Sequence, residues 1–232
     1  SSCSGLVSID FPNCSYIGSS AFQNCRNLTS VSFSNCISIG NYTFANCYSL
    51  TSISFPNCSY IGGYAFSYCS NLTSISFPSC SYIGTYAFVN CIALVSINLP
   101  LCERLGTGIF SGCTNLTTIN LSAFAFVGSN TFRNCYKLSI INLSQCSGIS
   151  NYAFASCYNL PSLYLLDSSV PILSSTDAFQ STPLSDYTTS TGGVYGSIYV
   201  PASLYNDYLT ATNWSDYSSR IVSLTNEQIA AL

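Results

Sequence analysis

Cysteine is the residue type in this sequence with the most chemistry to offer. There are fourteen cysteines and no histidine, so neither a Cys–His nor a Ser–His catalytic pair can form. The cysteines fall into two series, each with a spacing of 22 residues that is interrupted only at Phe124 in the second series. The first series is Cys3, Cys25, Cys47, Cys69, Cys91, Cys113, Cys135 and Cys157, and the second is Cys14, Cys36, Cys58, Cys80, Cys102 and Cys146.

Three roles are open to these cysteines: disulfide bonds, metal ligands or buried thiols. Metal sites favour short spacings such as Cys-x2-Cys, whereas neighbouring cysteines of the two series are 11 residues apart. A disulfide needs Cβ atoms about 3.8 Å apart, and stacked strands would hold them about 4.8 Å apart. We therefore favour reduced, buried thiols without a metal or other cofactor, and expect Cys14 and its equivalents to satisfy backbone groups at a turn.

Charged residues are too few and too scattered to indicate an active site or a polyanionic partner. The chain has eight acidic and five basic residues for a net charge of −3, and six of the acids lie within residues 167–232. Nucleic-acid binding is not expected at this charge. No apolar run reaches the roughly 20 residues of a membrane span. The sequence predicts a non-enzymatic protein that does not insert into a membrane.

The elements that must position these residues are repeats of 22 residues. In one repeat, Leu50–Phe55 alternates apolar and polar residues and predicts a short strand. Pro56 ends the strand because proline lacks a backbone donor. Ile61-Gly62 is expected to turn the chain, and Ala65-Phe66 to place an aromatic ring inward. The chain starts within such a repeat, from which we expect further coils or a targeting segment upstream.

Stacking these repeats in register would bury leucine on leucine and phenylalanine on phenylalanine. The predicted fold class is a β-rich solenoid of 22-residue coils, with a parallel sheet on one face and a C-terminal α/β cap. The predicted domains are a solenoid over residues 1–166 and a capping module over 167–232. Within the cap we expect a loop at 181–196, a strand at 198–201, a helix at 202–210 and a last strand at 221–224.

The pattern Leu50-x-x-Ile53-x-Phe55-x-x-Cys58-x-x-Ile61, followed by Ala65-Phe66-x-x-Cys69-x-x-Leu72, resembles the BspA-type (Treponema-type) leucine-rich repeat. The resemblance covers residues 3–166, and the piece from Ile198 to Trp214 is similar to the segment that often closes such arrays. It implies an adhesin found extracellularly, on the cell surface or on a phage virion. It also implies that the partner is a host or bacterial surface protein or glycan.

Candidate binding residues follow from the alternation of the strands and from the tyrosine series. Outward polar positions of the sheet are Ser52, Ser54, Ser74, Ser76, Asn98 and Asn120, and the tyrosines are Tyr42, Tyr64 and Tyr86 in one series and Tyr60 and Tyr82 in another. In leucine-rich repeats this open sheet is the usual ligand face. Two simpler interpretations remain open: a merely soluble face for the serines, and packing between coils for the tyrosines.

Three functions are compatible with these residues. The first is a binding or adhesion module for protein or glycan. The second is a rigid structural spacer or display stalk, which the near-identity of the central repeats favours. The third is ice binding, because flat rows of hydroxyls at about 4.8 Å can order water. The sequence predicts no oligomeric state.

Overall fold

A computed structural model describes residues 3–102, 104–120, 126–139, 141, 143, 145–185 and 195–232, without the side chains of Arg104 and Asn120. The chain winds into a solenoid of about nine turns, as the repeats predict. Each turn contributes to three faces. Among the described residues, no helix has the length and apolar character needed to cross a lipid bilayer.

The first face carries parallel strands, which form three hydrogen-bonded groups among the described residues and which we together call the front sheet. Its three-residue strands are Ser8–Asp10, Ser30–Ser32, Ser52–Ser54, Ser74–Ser76, Ser96–Asn98, Thr118–Asn120 and Ser162–Tyr164, followed by the longer strands Ser197–Pro201 and Ile221–Leu224. Equivalent residues of successive coils are paired, as in Ile53 with Ile75. The strands are shorter than the predicted Leu50–Phe55, because only their central residues form the ladder.

The second face carries parallel strands of two residues, which form two hydrogen-bonded groups among the described residues and which we together call the side sheet. Its strands are Tyr16–Ile17, Ser38–Ile39, Tyr60–Ile61, Tyr82–Ile83, Arg104–Leu105, Phe126–Val127, Gly148–Ile149 and Ile172–Leu173. The expectation that Ile61-Gly62 only turns the chain was therefore incomplete. Gly62 donates its N–H to the Ile39 carbonyl at 2.8 Å, and a Cβ on Gly62 would lie 2.6 Å from the backbone of Gly40. Glycine is needed here because the coils approach this closely.

The third face comprises residues 20–24, 42–46, 64–68, 86–90, 108–112, 130–134 and 152–156. Its backbone also bonds between coils, as in Phe44 N–H to Ala65 O at 2.7 Å and Phe66 N–H to Ala87 O at 2.8 Å. Two residues per coil adopt left-handed backbone angles, such as Tyr64 (φ 55°) and Tyr68 (φ 59°). The phenylalanine between them is buried.

The core lies between the three faces and consists of stacked identical side chains. Phe44, Phe66 and Phe88 are fully buried, and successive rings in this row lie 5.2 Å apart at 11° and 3°. A second row contains Phe55 and Phe77, with centroids 5.6 Å apart. Each buried phenylalanine stabilises the fold by roughly 2–3 kcal/mol, and the rows make neighbouring coils depend on each other.

The solenoid pattern continues beyond Leu166. Ile172–Leu173 pairs with Gly148–Ile149, and a 3-10 helix at Thr176–Phe179 places Phe179 on Phe154 at 5.5 Å. The remaining elements are 3-10 helices at Ala202–Leu204 and Ser215–Arg220 and α-helices at Tyr205–Thr210 and Asn226–Ala230. The predicted helix at 202–210 and strands at 198–201 and 221–224 are present, while most of the predicted loop, residues 186–194, lies outside the described residues.

Side chains of the C-terminal part close the open edge of the side sheet. Within the coils, the carbonyl of Ile61 accepts the N–H of Gly84 from the next coil at 2.8 Å. At the last strand, the Leu173 carbonyl instead accepts Asn213 Nδ2 at 2.6 Å, and the Pro171 carbonyl accepts Trp214 Nε1 at 2.7 Å. The side chains thus replace the donors that another coil would supply. The division into domains at residues 166 and 167 stays a prediction.

Candidate functional site

The fourteen cysteines are all unpaired, and all except Cys3 and Cys14 are buried. In the first series, each thiol from Cys47 onward donates to a carbonyl of the preceding coil, as Cys91 does to Phe66 O at 3.2 Å. In the second series the thiol donates to the carbonyl of the residue two positions further along the chain, as Cys58 does to Tyr60 O at 3.2 Å. The predicted burial and the backbone role of the Cys14 series are confirmed.

Burial also makes several of these thiols poor nucleophiles. It raises the pKa of Cys146 to about 11 and that of Cys47 and Cys113 to about 12, because the thiolate is disfavoured away from water. Within the described residues no group of three or more His, Cys, Asp or Glu side chains is placed to hold a metal ion. The cysteines therefore belong to the scaffold, and a ligand site must be sought on the faces.

The outward side of the front sheet carries the predicted polar residues. Ser52 and Ser54 are exposed and lie in register with Ser74 and Ser76. Asn98 is also exposed, at the end of the strand Ser96–Asn98. The backbone of Asn120 ends the next strand, and its side chain lies outside the described residues. Successive coils thus present the same polar groups side by side.

The hydroxyl groups of the four front serines differ from several other hydroxyls of the solenoid, which bind the backbone of a neighbouring coil. Thr73 Oγ1 donates to the Thr51 carbonyl at 3.1 Å, and Ser81 Oγ donates to the Ser59 carbonyl at 3.2 Å. Among the described residues, by contrast, the hydroxyls of Ser52, Ser54, Ser74 and Ser76 form no hydrogen bond with the protein. Each of these groups can donate one hydrogen bond and accept others from solvent or a ligand.

The front face is also free of charge over most of its length. The outward positions from the strand Ser30–Ser32 to the strand Ser197–Pro201 are serine, threonine, asparagine and tyrosine in every described strand. Asp10 lies at the N-terminal end of this face, and Arg220 directly precedes the last strand. The part of the face between Asp10 and Arg220 would therefore exert little electrostatic attraction on a charged partner.

Two tyrosines on this face were not among the predicted site residues. Tyr164 and Tyr199 are paired in register on neighbouring front strands, and their half-buried rings stack at 4.8 Å and 14°. The segment between Tyr164 and Tyr199 is longer than one repeat and breaks the 22-residue spacing. The repeat pattern therefore did not show that the two tyrosines are equivalent. An alignment of the strand residues Leu163-Tyr164 with Ile198-Tyr199 would have shown that the two tyrosines occupy equivalent positions.

The predicted tyrosine series lie on the other two faces. Tyr60 and Tyr82 stack at 4.9 Å on the side sheet. Tyr42, Tyr64 and Tyr86 form a column on the third face, with spacings of 4.9 and 5.3 Å. Burial, followed by the neighbouring tyrosines, raises the pKa of Tyr64. The structure thus does not unite tyrosines and serines in one site. Ring stacking gives the tyrosines a packing role, and their binding role stays a prediction.

Comparison with known proteins identifies relatives of this solenoid. A family model described as "BspA type Leucine rich repeat region" matches in six copies, over residues 1–102 and 81–193. The solved leucine-rich-repeat protein of T. pallidum (TpLRR) is 27% identical over 67% of this chain and 78% of its own, with a TM-score of 0.62.

A second solved structure supports the fold alone. The leucine-rich-repeat protein from Eubacterium ventriosum is 21% identical over 65% of this chain, with a TM-score of 0.58. The match spans only 42% of that protein's length. A search of curated protein sequences gave no match. These proteins share the repeat architecture with this chain.

Proposed function

Since the chain belongs to the BspA-type leucine-rich-repeat family, we propose that it is a binding or adhesion module that holds a protein or glycan on its front sheet. Repeat arrays of this family typically serve as non-enzymatic binding scaffolds. The proposed place of action is the cell surface or the extracellular medium. The proposed contact residues are Ser52, Ser54, Ser74, Ser76, Asn98 and Asn120.

The observation that carries this proposal is that the hydroxyls of the front serines are exposed and unbonded within the described residues, whereas several other hydroxyls of the coils bind the backbone. Thr51 and Thr73 of the solenoid bind the backbone of the preceding coil. The four front serines have no such bond within the described part of the chain and are exposed. Their exposure on a rigid ladder keeps their spacing fixed before a ligand arrives, which reduces the ordering cost of binding.

The test compares two double variants that add the same charge to different faces. S54E with S76E places two carboxylates on the front sheet in register. S15E with S218E places two carboxylates at exposed positions away from the front sheet. Binding of wild type and both variants would be measured on immobilised host-matrix and bacterial cell-wall preparations, after circular dichroism has confirmed folding.

We expect wild type and the S15E/S218E variant to bind alike and the S54E/S76E variant to lose at least tenfold in affinity. The ligand would cover two exposed carboxylates and remove their water, and two hydroxyl donors would be lost, so both effects oppose binding. Unchanged binding of a folded S54E/S76E variant would contradict the proposed face.

A rigid spacer is the second candidate function. The coils that contain Ser52–Ser54 and Ser74–Ser76 present the same Ser-Ile-Ser strand, which suits a uniform stalk. Absence of wild-type binding to all of these surface preparations would favour the spacer.

A further inference from the structure

The front face repeats along the solenoid axis. Ser52 and Ser54 are followed in register by Ser74 and Ser76, and the stacked rings of Tyr164 and Tyr199, on neighbouring front strands, lie 4.8 Å apart. A ligand that makes the same contact with several coils must carry equivalent groups at a similar repeat along its own length. Outside repeat proteins such as this one, a folded protein surface has no such translational repeat. A linear polysaccharide, by contrast, repeats once per sugar ring at a comparable distance.

The chemistry of the face also suits an uncharged sugar polymer. Outward groups from the strand Ser30–Ser32 onward are hydroxyls, amides and phenols without a charge until the C-terminal end. An anionic polymer would require cationic groups to offset its desolvation. Sugar hydroxyls can exchange hydrogen bonds with serine hydroxyls in both directions.

The C-terminal end of the face supplies an apolar contact for a sugar ring. Tyr164 and Tyr199 stand side by side at 4.8 Å and 14°, which holds both rings in fixed orientation. The C–H face of a pyranose ring is apolar and packs on aromatic surface, while the phenol groups remain available for hydrogen bonds. The serine hydroxyls and the aromatic pair both lie on the outward side of the front face, in two different groups of paired strands.

We propose that the ligand class of the front face is a linear, uncharged polysaccharide. It lies across the front strands along the solenoid axis, with a pyranose ring against the Tyr164–Tyr199 pair. This inference rests on the proposed function, because it names the ligand of the same face. Because each coil adds an equivalent weak contact, affinity rises with the length of the sugar chain until the face is filled.

The first experiment is affinity electrophoresis of the full chain in gels that contain one soluble polysaccharide. The uncharged probes are hydroxyethyl cellulose, arabinoxylan and galactomannan, and the anionic probes are alginate and heparin. We expect at least one uncharged probe to retard the protein and neither anionic probe to do so. Retardation by anionic probes alone, or by none of the five, overturns the proposal.

The second experiment uses oligosaccharides of the retarding polymer, from two to six sugar rings, and isothermal titration calorimetry. We expect the Kd to fall at least tenfold over this series. Y164A should weaken hexamer binding about tenfold, and Y164F, which keeps the ring stack, should stay within threefold of wild type. Affinity independent of chain length, or equal effects of Y164A and Y164F, contradicts the proposal.

Failure of this inference can be told apart from failure of the proposed function. If S54E/S76E abolishes binding to the surface preparations and no uncharged polysaccharide binds, the front face is the site and the ligand class is wrong. If binding to the preparations survives S54E/S76E, the proposed function itself fails. Thermal unfolding of Y164A checks its fold, and S54E/S76E tests polysaccharide binding through a second part of the face.

Discussion

At the scale of the residue, the cysteines show how one side chain meets two demands of a narrow coil. Cys69 and Cys91 are fully buried, and each donates to a carbonyl of the preceding coil. A thiol is apolar enough for the core and is also a weak hydrogen-bond donor. This combination of properties explains why cysteine recurs in the coils without forming disulfide bonds.

Buried thiols predict that the protein loses stability at alkaline pH. The pKa of Cys146 is raised from 9.0 to about 11 and that of Cys47 from 9.0 to about 12, so above about pH 9 the unfolded chain releases protons that the native chain keeps. Stability is thus fully present below the unfolded pKa and falls as pH rises towards the folded pKa. At pH 10 the loss is about 1.4 kcal/mol for each such thiol.

Urea unfolding with a reductant at pH 8 and pH 10 measures this loss. We expect a lower midpoint at pH 10, with an unchanged m-value. An unfolding free energy that stays constant up to pH 10 would show that the thiols are not buried in the neutral form.

Gly108 is a second residue whose role can be tested. It occupies a left-handed position (φ 65°), and a Cβ there would lie 2.2 Å from Cε1 of Tyr86. We expect Gly108→Ala to lower the free energy of unfolding by about 1–3 kcal/mol, because it combines backbone strain with displacement of the ring. Gly18→Ala is the control, since its Cβ would meet nothing within 4 Å, and equal midpoints of the two variants would contradict this account.

Sequence reasoning reached some residues and missed others for identifiable reasons. Outward serines such as Ser54 follow from strand alternation, and buried thiols follow from the repeat. The left-handed angles of Tyr64 and Tyr68 could not be expected, since tyrosine normally avoids this region. Two glycines, Gly108 and Gly112, take the equivalent places in another coil, and they were the available sign of this conformation.

At the scale of the element, periodicity predicted the front sheet and not the side sheet. A strand of two residues, such as Tyr60–Ile61, is too short to show an alternation of apolar and polar residues. It exists because equivalent backbone groups of stacked coils are brought into register by the rest of the coil. Tertiary structure, not local pattern, forms this element.

The cap can be tested at Trp214, whose ring closes the side-sheet edge through the Pro171 carbonyl. We expect Trp214→Phe to lower the free energy of unfolding by about 1–3 kcal/mol, because the carbonyl loses its donor in a buried place. Amides of Ile172–Leu173 should exchange faster in this variant. Tyr205→Phe serves as a comparison, since the Tyr205 hydroxyl has no bond within the described residues, and equal stability of the two variants would show that the cap bond is unimportant.

At the scale of the whole molecule, stacking separates the residues of the scaffold from the proposed binding surface. Side chains of the core, the thiol ladders and the tyrosine columns hold coil to coil, whereas the hydroxyls of the front serines form no hydrogen bond within the described residues. The family and the solenoid were predictable from 22-residue periodicity. The sequence did not predict that the candidate residues lie on three different faces. Residues of every face recur with the same 22-residue spacing, so the spacing does not tell the faces apart.

The measurement that tests the front-face claim most directly uses the burial of the native thiols. In a background with Cys3→Ser and Cys14→Ser, only an added cysteine is exposed, so S54C or S15C can each be labelled with an environment-sensitive fluorophore. Addition of the surface preparation that binds wild type should shift the emission of the S54C label and leave the S15C label unchanged. A shift at S15C with none at S54C would contradict binding on the front sheet.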